Sequence, residues 1–323
     1  MTAFSLHIKL IIKMLVPSLL LIFTIIGVEW FVGWHTIVRG FNDLPGNYLS
    51  AAMGLMVFSY VLRTWRIQVS LTIKGHFSEL FKLSLTHNIL NIMMPMRTGE
   101  ASFPIFMKAQ FNVPMLTASL HLIMFRLLDL LCLLCIGGVL LLWQDFPLFS
   151  LAICGLFVLA IRYSELLKLL TLRLIRNSHH PALVKIRDTL TQLPTSGKTY
   201  FTIALLTLCS WLSKLTAFVL IVLGISGLSF HTALLGIVGA DLSSVLPIHG
   251  VAGSGTFEGA FILAAEIDGI SNLQSSFPQL LEASVQLHVF LLGSAASIYA
   301  MSLLLASLMP LVKPSRIAEK KQP

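Results

Sequence analysis

Residues 91–100 read Asn91-Ile92-Met93-Met94-Pro95-Met96-Arg97-Thr98-Gly99-Glu100, and they interrupt an otherwise apolar stretch over about 77–110. Proline removes a backbone donor and clashes with a continuing helix, while glycine permits turns that other residues resist. One helix therefore stops here and another begins. The arms, such as Leu80–Met94, are too short to cross a ~30 Å hydrocarbon core comfortably. A re-entrant or interfacial hairpin suits that length better.

A second stretch, about 231–266, has the same plan: Ser243-Ser244-Val245-Leu246-Pro247-Ile248-His249-Gly250-Val251-Ala252-Gly253-Ser254-Gly255-Thr256-Phe257-Glu258. In both, a small polar residue stands four before a proline and a basic-type residue two after it. Glycine and a glutamate follow, with the second loop six residues longer.

Around these two stretches lie uninterrupted apolar runs. The lengths predict membrane-spanning helices at about 15–34, 47–66, 114–143, 146–161, 200–225 and 280–311. Composition agrees: 56% of the 323 residues are apolar and only 11% charged, where a soluble domain carries about a quarter charged. A secreted soluble enzyme, with one apolar leader and a polar body, is excluded. The fold expected is an all-α integral membrane protein of about six spans plus two broken hairpins.

Each hairpin follows two spans and precedes one long one, and the first enters from the cytoplasm while the second enters from outside. The chain thus divides into repeat 1 (about 15–143) and repeat 2 (about 146–311) of opposite orientation within a single membrane domain. Inverted repeats whose broken segments meet near mid-depth are the pattern of secondary transporters.

The net charge of +8 raises nucleic acid as a partner, but no basic stretch is interleaved with stacking aromatics. The positive-inside bias of cytoplasmic loops accounts for it instead. With the N-terminus in the cytoplasm, eighteen of the 22 Lys and Arg residues fall inside, Arg63 and Arg66 among them. Arg39 falls outside, and Arg97, Arg126 and Lys214 lie at membrane depth. Both termini are expected to be cytoplasmic, in a bacterial or archaeal inner membrane.

The sizeable loop, 162–198, mixes leucines with Lys168, Arg173 and Arg176 and reads as a basic amphipathic helix on anionic headgroups. A docking helix for another protein fits the same pattern. Cys132 and Cys135 form a C-x-x-C inside an apolar helix, and Cys154 and Cys209 also lie mid-helix, so all four read as packing residues. Gly293 and Ser297 make a small-x3-small step suited to a helix contact.

The order Asn91-x3-Pro95-x-Arg97-x-Gly99-Glu100, then Phe125-Arg126-Leu127-Leu128-Asp129, then Pro247…Gly253-x-Gly255-x2-Glu258, resembles the lysylphosphatidylglycerol synthase transmembrane (flippase-like) family over nearly the whole chain. The resemblance implies a multi-pass inner-membrane protein that moves or supplies lipids. It also implies a stand-alone member, since the chain ends at Lys320-Lys321-Gln322-Pro323 where the full synthases continue into a soluble domain. The first motif departs from the family in one place. Ala101-Ser102-Phe103-Pro104 follows the glutamate, so the nearest basic residue is Lys108.

A charge at mid-membrane costs roughly 2.5–3.5 kcal/mol, so it is paired or faces a wet cavity. Arg97 and Glu100 are three apart and can pair on one helical face, and Arg126 and Asp129 have the same spacing. We expect Arg126–Asp129 to be a closed structural pair. Arg97 is the candidate binding residue, because it lies beside Pro95 and Gly99 where freed N–H groups and a guanidinium suit a phosphate. Asn91, Gly99, Gly253 and Gly255 complete the expected site. Glu100 and Glu258 are candidate proton carriers, and His249 a candidate pH gate.

No two carboxylates are spaced to share a Mg²⁺ ion, which places an enzyme acting on lipid phosphates behind a transporter, with no cofactor or metal expected. The leading expectation is a translocase for an anionic, phosphate-bearing lipid. A non-catalytic partner of a lipid-linked glycosyltransferase or synthase remains the alternative, and a homo-oligomer is equally open.

Overall fold

The computed structural model describes residues 22–143, 145–163, 169–170, 172–174, 176, 181–191, 197–244, 251–267 and 273–308. All regular structure among them is helical. In order the helices are α1 (Ile22–Phe31), α2 (Trp34–Asp43), α3 (Gly46–Ser70), α4 (Phe77–Met93), α5 (Ser102–Phe111), α6 (Met115–Leu142), α7 (Pro147–Arg162), α8 (Pro181–Leu190), α9 (Gly197–Ser226), α10 (Phe230–Ser243), α11 (Thr256–Glu266) and α12 (Leu273–Leu308).

Among the described residues, Met115–Leu142, Gly197–Ser226 and Ser276–Leu305 are long and apolar enough to cross a membrane. At 1.5 Å per residue, the 25-residue α3 is also long enough, about 38 Å, but it carries Arg63 and Arg66. α7, with 16 residues, is shorter. The expected first span, about 15–34, is described only from residue 22, and there the helix breaks at Gly33, where φ is +81°.

Both broken stretches are broken where their sequences predict. Met94 precedes Pro95 and is held extended (ψ 131°), as steric conflict with the proline ring demands, so α4 ends at Met93. A 3-10 turn, Pro95–Ala101, leads directly into α5. Gly99 lets that turn fold back onto α4: a Cβ there would collide with the Leu90 carbonyl group. In the second stretch, α10 ends at Ser243 and the chain returns through a short turn, Val251–Gly253. Positive φ at Ala252 (+57°), Gly253 (+87°) and Gly255 (+82°) reverses it into α11. Pro247, His249 and Gly250 lie outside the described residues.

The two turns touch one another, and the second also touches α4. The most extensive helix packing is between α3 and α9, the corresponding helices of the two units. Tyr48 lies beside Gly224, and Ser59 Oγ donates to the Ser210 carbonyl. Further along, Arg66 Nη1 donates to Thr207 Oγ1, so the two helices run antiparallel. Equivalent helices that face opposite ways are what an inverted repeat requires.

One large apolar cluster, including Met56, Phe218, Ile237, Phe261 and Leu287, joins α3 to α9–α12. A second, including Leu80, Leu83, Phe103, Met107 and Phe125, holds α4, α5 and α6 together. The loop 162–198 is described only in part, and its helix α8 packs against α6. Gly293 has open space where a Cβ would go, so the Gly293/Ser297 step is not a close helix contact. Cys132 is buried, but Cys154 is exposed on α7 rather than packed.

Candidate functional site

The two broken segments and the antiparallel pair α3/α9 enclose a cavity of about 130 Å³. Its wall takes Tyr60 and Arg63 from α3, Asn88 and Asn91 from α4, Arg126 and Asp129 from α6, and Trp211 and Lys214 from α9. Asp241 and Ser243 come from α10, Gly253 from the second turn, Thr256 and Phe257 from α11, and His288 from α12. A polar wall inside so apolar a chain is costly unless its groups are paired or have a ligand to meet.

Most charges there are paired, though not as the sequence spacing suggests. Asp129 Oδ1 accepts from Arg66 Nη1 at 2.6 Å and from Trp211 Nε1 at 3.0 Å, and Oδ2 accepts from Arg66 Nη2 at 3.4 Å. The expected Arg126–Asp129 pair is therefore corrected: Arg126 Nε meets Glu100 Oε1 at 3.1 Å instead. Glu100 thus serves Arg126, while the side chain of Arg97, its expected partner, lies outside the described residues. The same geometry draws Arg63 and Arg66, expected at the cytoplasmic end of the span 47–66, into the bundle, because α3 runs on to Ser70. Lys214 Nζ is 2.5 Å from Asp241 Oδ1.

Arg63 differs from these cations. Its guanidinium lies 4.8 Å from the centre of the Trp211 ring, a cation–π contact that fixes its place without using its donors. Its Nη2 is buried and has no hydrogen-bond partner among the described residues. Asn91 Oδ1 and Asp241 Oδ2, on the same wall, are also buried without one. Buried polar atoms are almost always satisfied, so these exceptions around one cavity mark a place built for a polar guest. A planar guanidinium with a free donor suits an oxyanion.

Of the residues singled out from sequence, Asn91, Arg126, Asp129 and Gly253 line this cavity. Gly99 is a packing requirement. Gly255 begins α11, and its N–H donates to Glu258 Oε2 at 2.8 Å. Glu258 is buried away from solvent and its Oε1 is 2.6 Å from His288 Nδ1. Lys108 is exposed on α5, away from the cavity. The backbone of Arg97 lies in the first turn, while its side chain, like the whole of His249, lies outside the described residues.

Arg63, Trp211 and His288 are the contributors that sequence spacing does not reveal. A signal for part of the omission exists: four carboxylates at depth (Glu100, Asp129, Asp241, Glu258) outnumber the three cations placed there. Another basic group had to join them.

No curated protein and no solved structure matches the chain. The model of the lysylphosphatidylglycerol synthase TM region matches residues 10–293, nearly its whole length, and the chain belongs to that family of membrane domains.

Proposed function

We propose that the protein is a lipid translocase of the inner membrane, with both termini cytoplasmic, and that the head of an anionic, phosphate-bearing lipid enters the cavity between the two broken segments. One observation carries this reading: Arg63, Arg126 and Lys214 converge on a single cavity, and Arg63 Nη2 has no hydrogen-bond partner among the described residues. Arg126 and Lys214 are tied to carboxylates, so Arg63 supplies the donor and the uncompensated charge. The Asp129 and Asp241 carboxylates are each held by a cation, which suits positioning of the cationic groups better than metal-assisted catalysis. The antiparallel arrangement of the two units gives the cavity two corresponding sides from which to open, as alternating access needs.

Liposomes containing the purified protein and head-labelled lipids test this. Wild-type protein should speed transbilayer movement of phosphate-bearing anionic lipids more than that of zwitterionic ones. Arg63→Ala should slow it by roughly 10–100-fold, the worth of one charge-assisted hydrogen bond of about 1.5–3 kcal/mol. Arg63→Lys should not restore it, since an ammonium loses both the planar fork and the stack on Trp211. Wild-type protein that moves no anionic lipid, or an Arg63→Ala protein as fast as wild type, would refute the reading.

A further inference from the structure

His288, on the cavity wall, belongs to an ionisable pair whose geometry counts its protons. His288 Nδ1 faces Glu258 Oε1 at 2.6 Å, and His288 Nε2 faces the Ala252 carbonyl oxygen at 2.8 Å. A carbonyl oxygen only accepts, so Nε2 carries a hydrogen. Nδ1 then meets a carboxyl oxygen at hydrogen-bond distance, and one more proton must lie between them, on the ring or on the carboxyl group. Glu258 Oε2 is already committed as acceptor of the Gly255 N–H. The pair with this proton is neutral overall, and without it carries one negative charge.

The corresponding pair in the first unit is different. Glu100 lies in the first turn and pairs with Arg126 on the next long helix, α6; Glu258 follows the second turn and pairs with His288 on the next long helix, α12. An arginine keeps its charge at every accessible pH, whereas a histidine can give its proton up. Only the second unit has been given a releasable one.

The ring that this proton ties to Glu258 also holds backbone in place. His288 reaches from α12 to the carbonyl of Ala252, whose φ of +57° is strained for a residue with a side chain. Its ring packs at a tilt against Phe257, with centroids 4.6 Å apart. Removing the proton leaves a lone pair on Nδ1 facing a carboxylate, which replaces attraction by repulsion.

Other charges around the cavity are committed elsewhere. Lys214 of α9 and Asp241 of α10 neutralise one another, Asp129 of α6 is held by Arg66, and Arg126 by Glu100. Arg63 of α3 sits over Trp211. Asn88 and Asn91, which α4 places on this wall, do not titrate. α2 meets α12 where Gly40 approaches Gln286, to which Glu282 is hydrogen-bonded. Among the described residues, Glu258 is the ionisable group in contact with His288.

We propose that Glu258 and His288 bind one exchangeable proton, whose release unseats the turn of the second broken segment and whose uptake accompanies the anionic lipid head. The proton leaves Nδ1 for water in the cavity, with Glu258 remaining a carboxylate and Nε2 keeping its hydrogen. The negative charge left on the wall then opposes an anion in the cavity. By linkage, anion binding draws the proton back, so head and proton load together. The coupling to the lipid rests on the translocase reading above; the coupling to the turn does not.

Two measurements separate them. Ser254, buried in the turn, is replaced by cysteine in a protein whose four native cysteines are serines, in phosphatidylcholine nanodiscs. Its reaction with a water-soluble maleimide is compared with that of Lys74→Cys, at an exposed position. Between about pH 5 and about pH 10 the relative rate should rise at least tenfold, and Glu258→Gln and His288→Gln should each flatten the profile. A flat wild-type profile, or a wild-type-like profile in both variants, overturns the proposal.

In the second measurement, dioctanoyl phosphatidylglycerol is added to wild-type protein in weakly buffered nanodiscs, with Trp fluorescence reporting binding and an indicator dye reporting protons. Above the titration of the pair, affinity should fall about tenfold per pH unit, with about one proton taken up per bound probe. Binding without proton uptake would overturn the coupling to the lipid. If the probe does not bind at all, the anion site fails while the accessibility profile still decides the proton site.

Discussion

Asp129→Ala should be among the most damaging single substitutions available in this chain. The carboxylate is 4% exposed and receives two donors from Arg66 and one from Trp211. Its removal leaves the Arg66 guanidinium buried with Thr207 as a neutral partner, 3.0 Å away. Breaking a buried ion pair from one side costs about 3–5 kcal/mol, and the orphaned indole N–H adds about 1 kcal/mol. A loss of about 4–6 kcal/mol is therefore expected. Asp129→Asn, which keeps one acceptor oxygen, should lose about half as much. The double variant Arg66→Met/Asp129→Leu removes both charges and fills the space, and should return to within about 1 kcal/mol of wild type. Reversible unfolding in mixed micelles, followed by Trp fluorescence, gives these values. Double-mutant cycles then identify the partner: Asp129 should couple by several kcal/mol to Arg66 and by far less to Arg126. A cost below about 1 kcal/mol for Asp129→Ala, or a larger coupling to Arg126, would refute the assignment.

Glu100 and Arg126 are both partly exposed (27% and 29%), so their cycle should yield only about 1 kcal/mol in the same assay. Gly99→Ala should destabilise by about 3 kcal/mol or more, because its Cβ would meet backbone that cannot yield, whereas Gly54→Ala, facing open space in mid-helix, should be neutral or gain up to about 1 kcal/mol. Thermal unfolding of both variants checks the contrast, and a tolerated Gly99→Ala would show that the first turn is not packed on α4. For topology, cysteine-accessibility labelling should find Asn42 outside and Ser196 inside; the reverse would invert the chain in the membrane.

Helix limits were legible because they follow from local chemistry. Proline at 95 and glycine at 99 break the chain whatever surrounds them, and the apolar run 114–143 anticipates α6 at Met115–Leu142 within a residue at each end. Charge partners were not legible. Sequence shows which residues share a face of one helix, and so offers Arg126 to Asp129; the choice of Arg66 depends on how α3 rotates against α6, which is set by packing. Arg63 and Arg66 were misread for a related reason. They follow an apolar run as the basic flank of a span does, but α3 continues to Ser70 and buries Thr64, Arg66 and Ser70 along with Ile67.

The arrangement of charges follows the repeat more closely than the sequence motifs do. Arg63 and Lys214 each stand seventeen residues after the first residue of α3 and α9, and both approach the Trp211 ring, at 4.8 and 5.0 Å. Asn88 and Asp241 each stand eleven residues into α4 and α10, on the same cavity wall. Duplication with inversion would bring two like cations face to face in the centre of the bundle, where at effective dielectric of about 20 their repulsion at several ångströms is a few kcal/mol. The chain resolves this by making the units unequal. Asp241 replaces a neutral amide and neutralises Lys214, while Asn88, hydrogen-bonded to Tyr60 at 3.0 Å, leaves Arg63 uncompensated. One unit therefore supplies the charge that a phosphate needs, and the other supplies, through Glu258 and His288, the proton that can leave with it. Asn88→Asp tests this division. It should restore local symmetry by neutralising Arg63, and so weaken anion binding by roughly 10–100-fold in the fluorescence titration while leaving thermal stability unchanged or raised. Unchanged anion affinity in that variant would show that Arg63 is not the charge the headgroup meets.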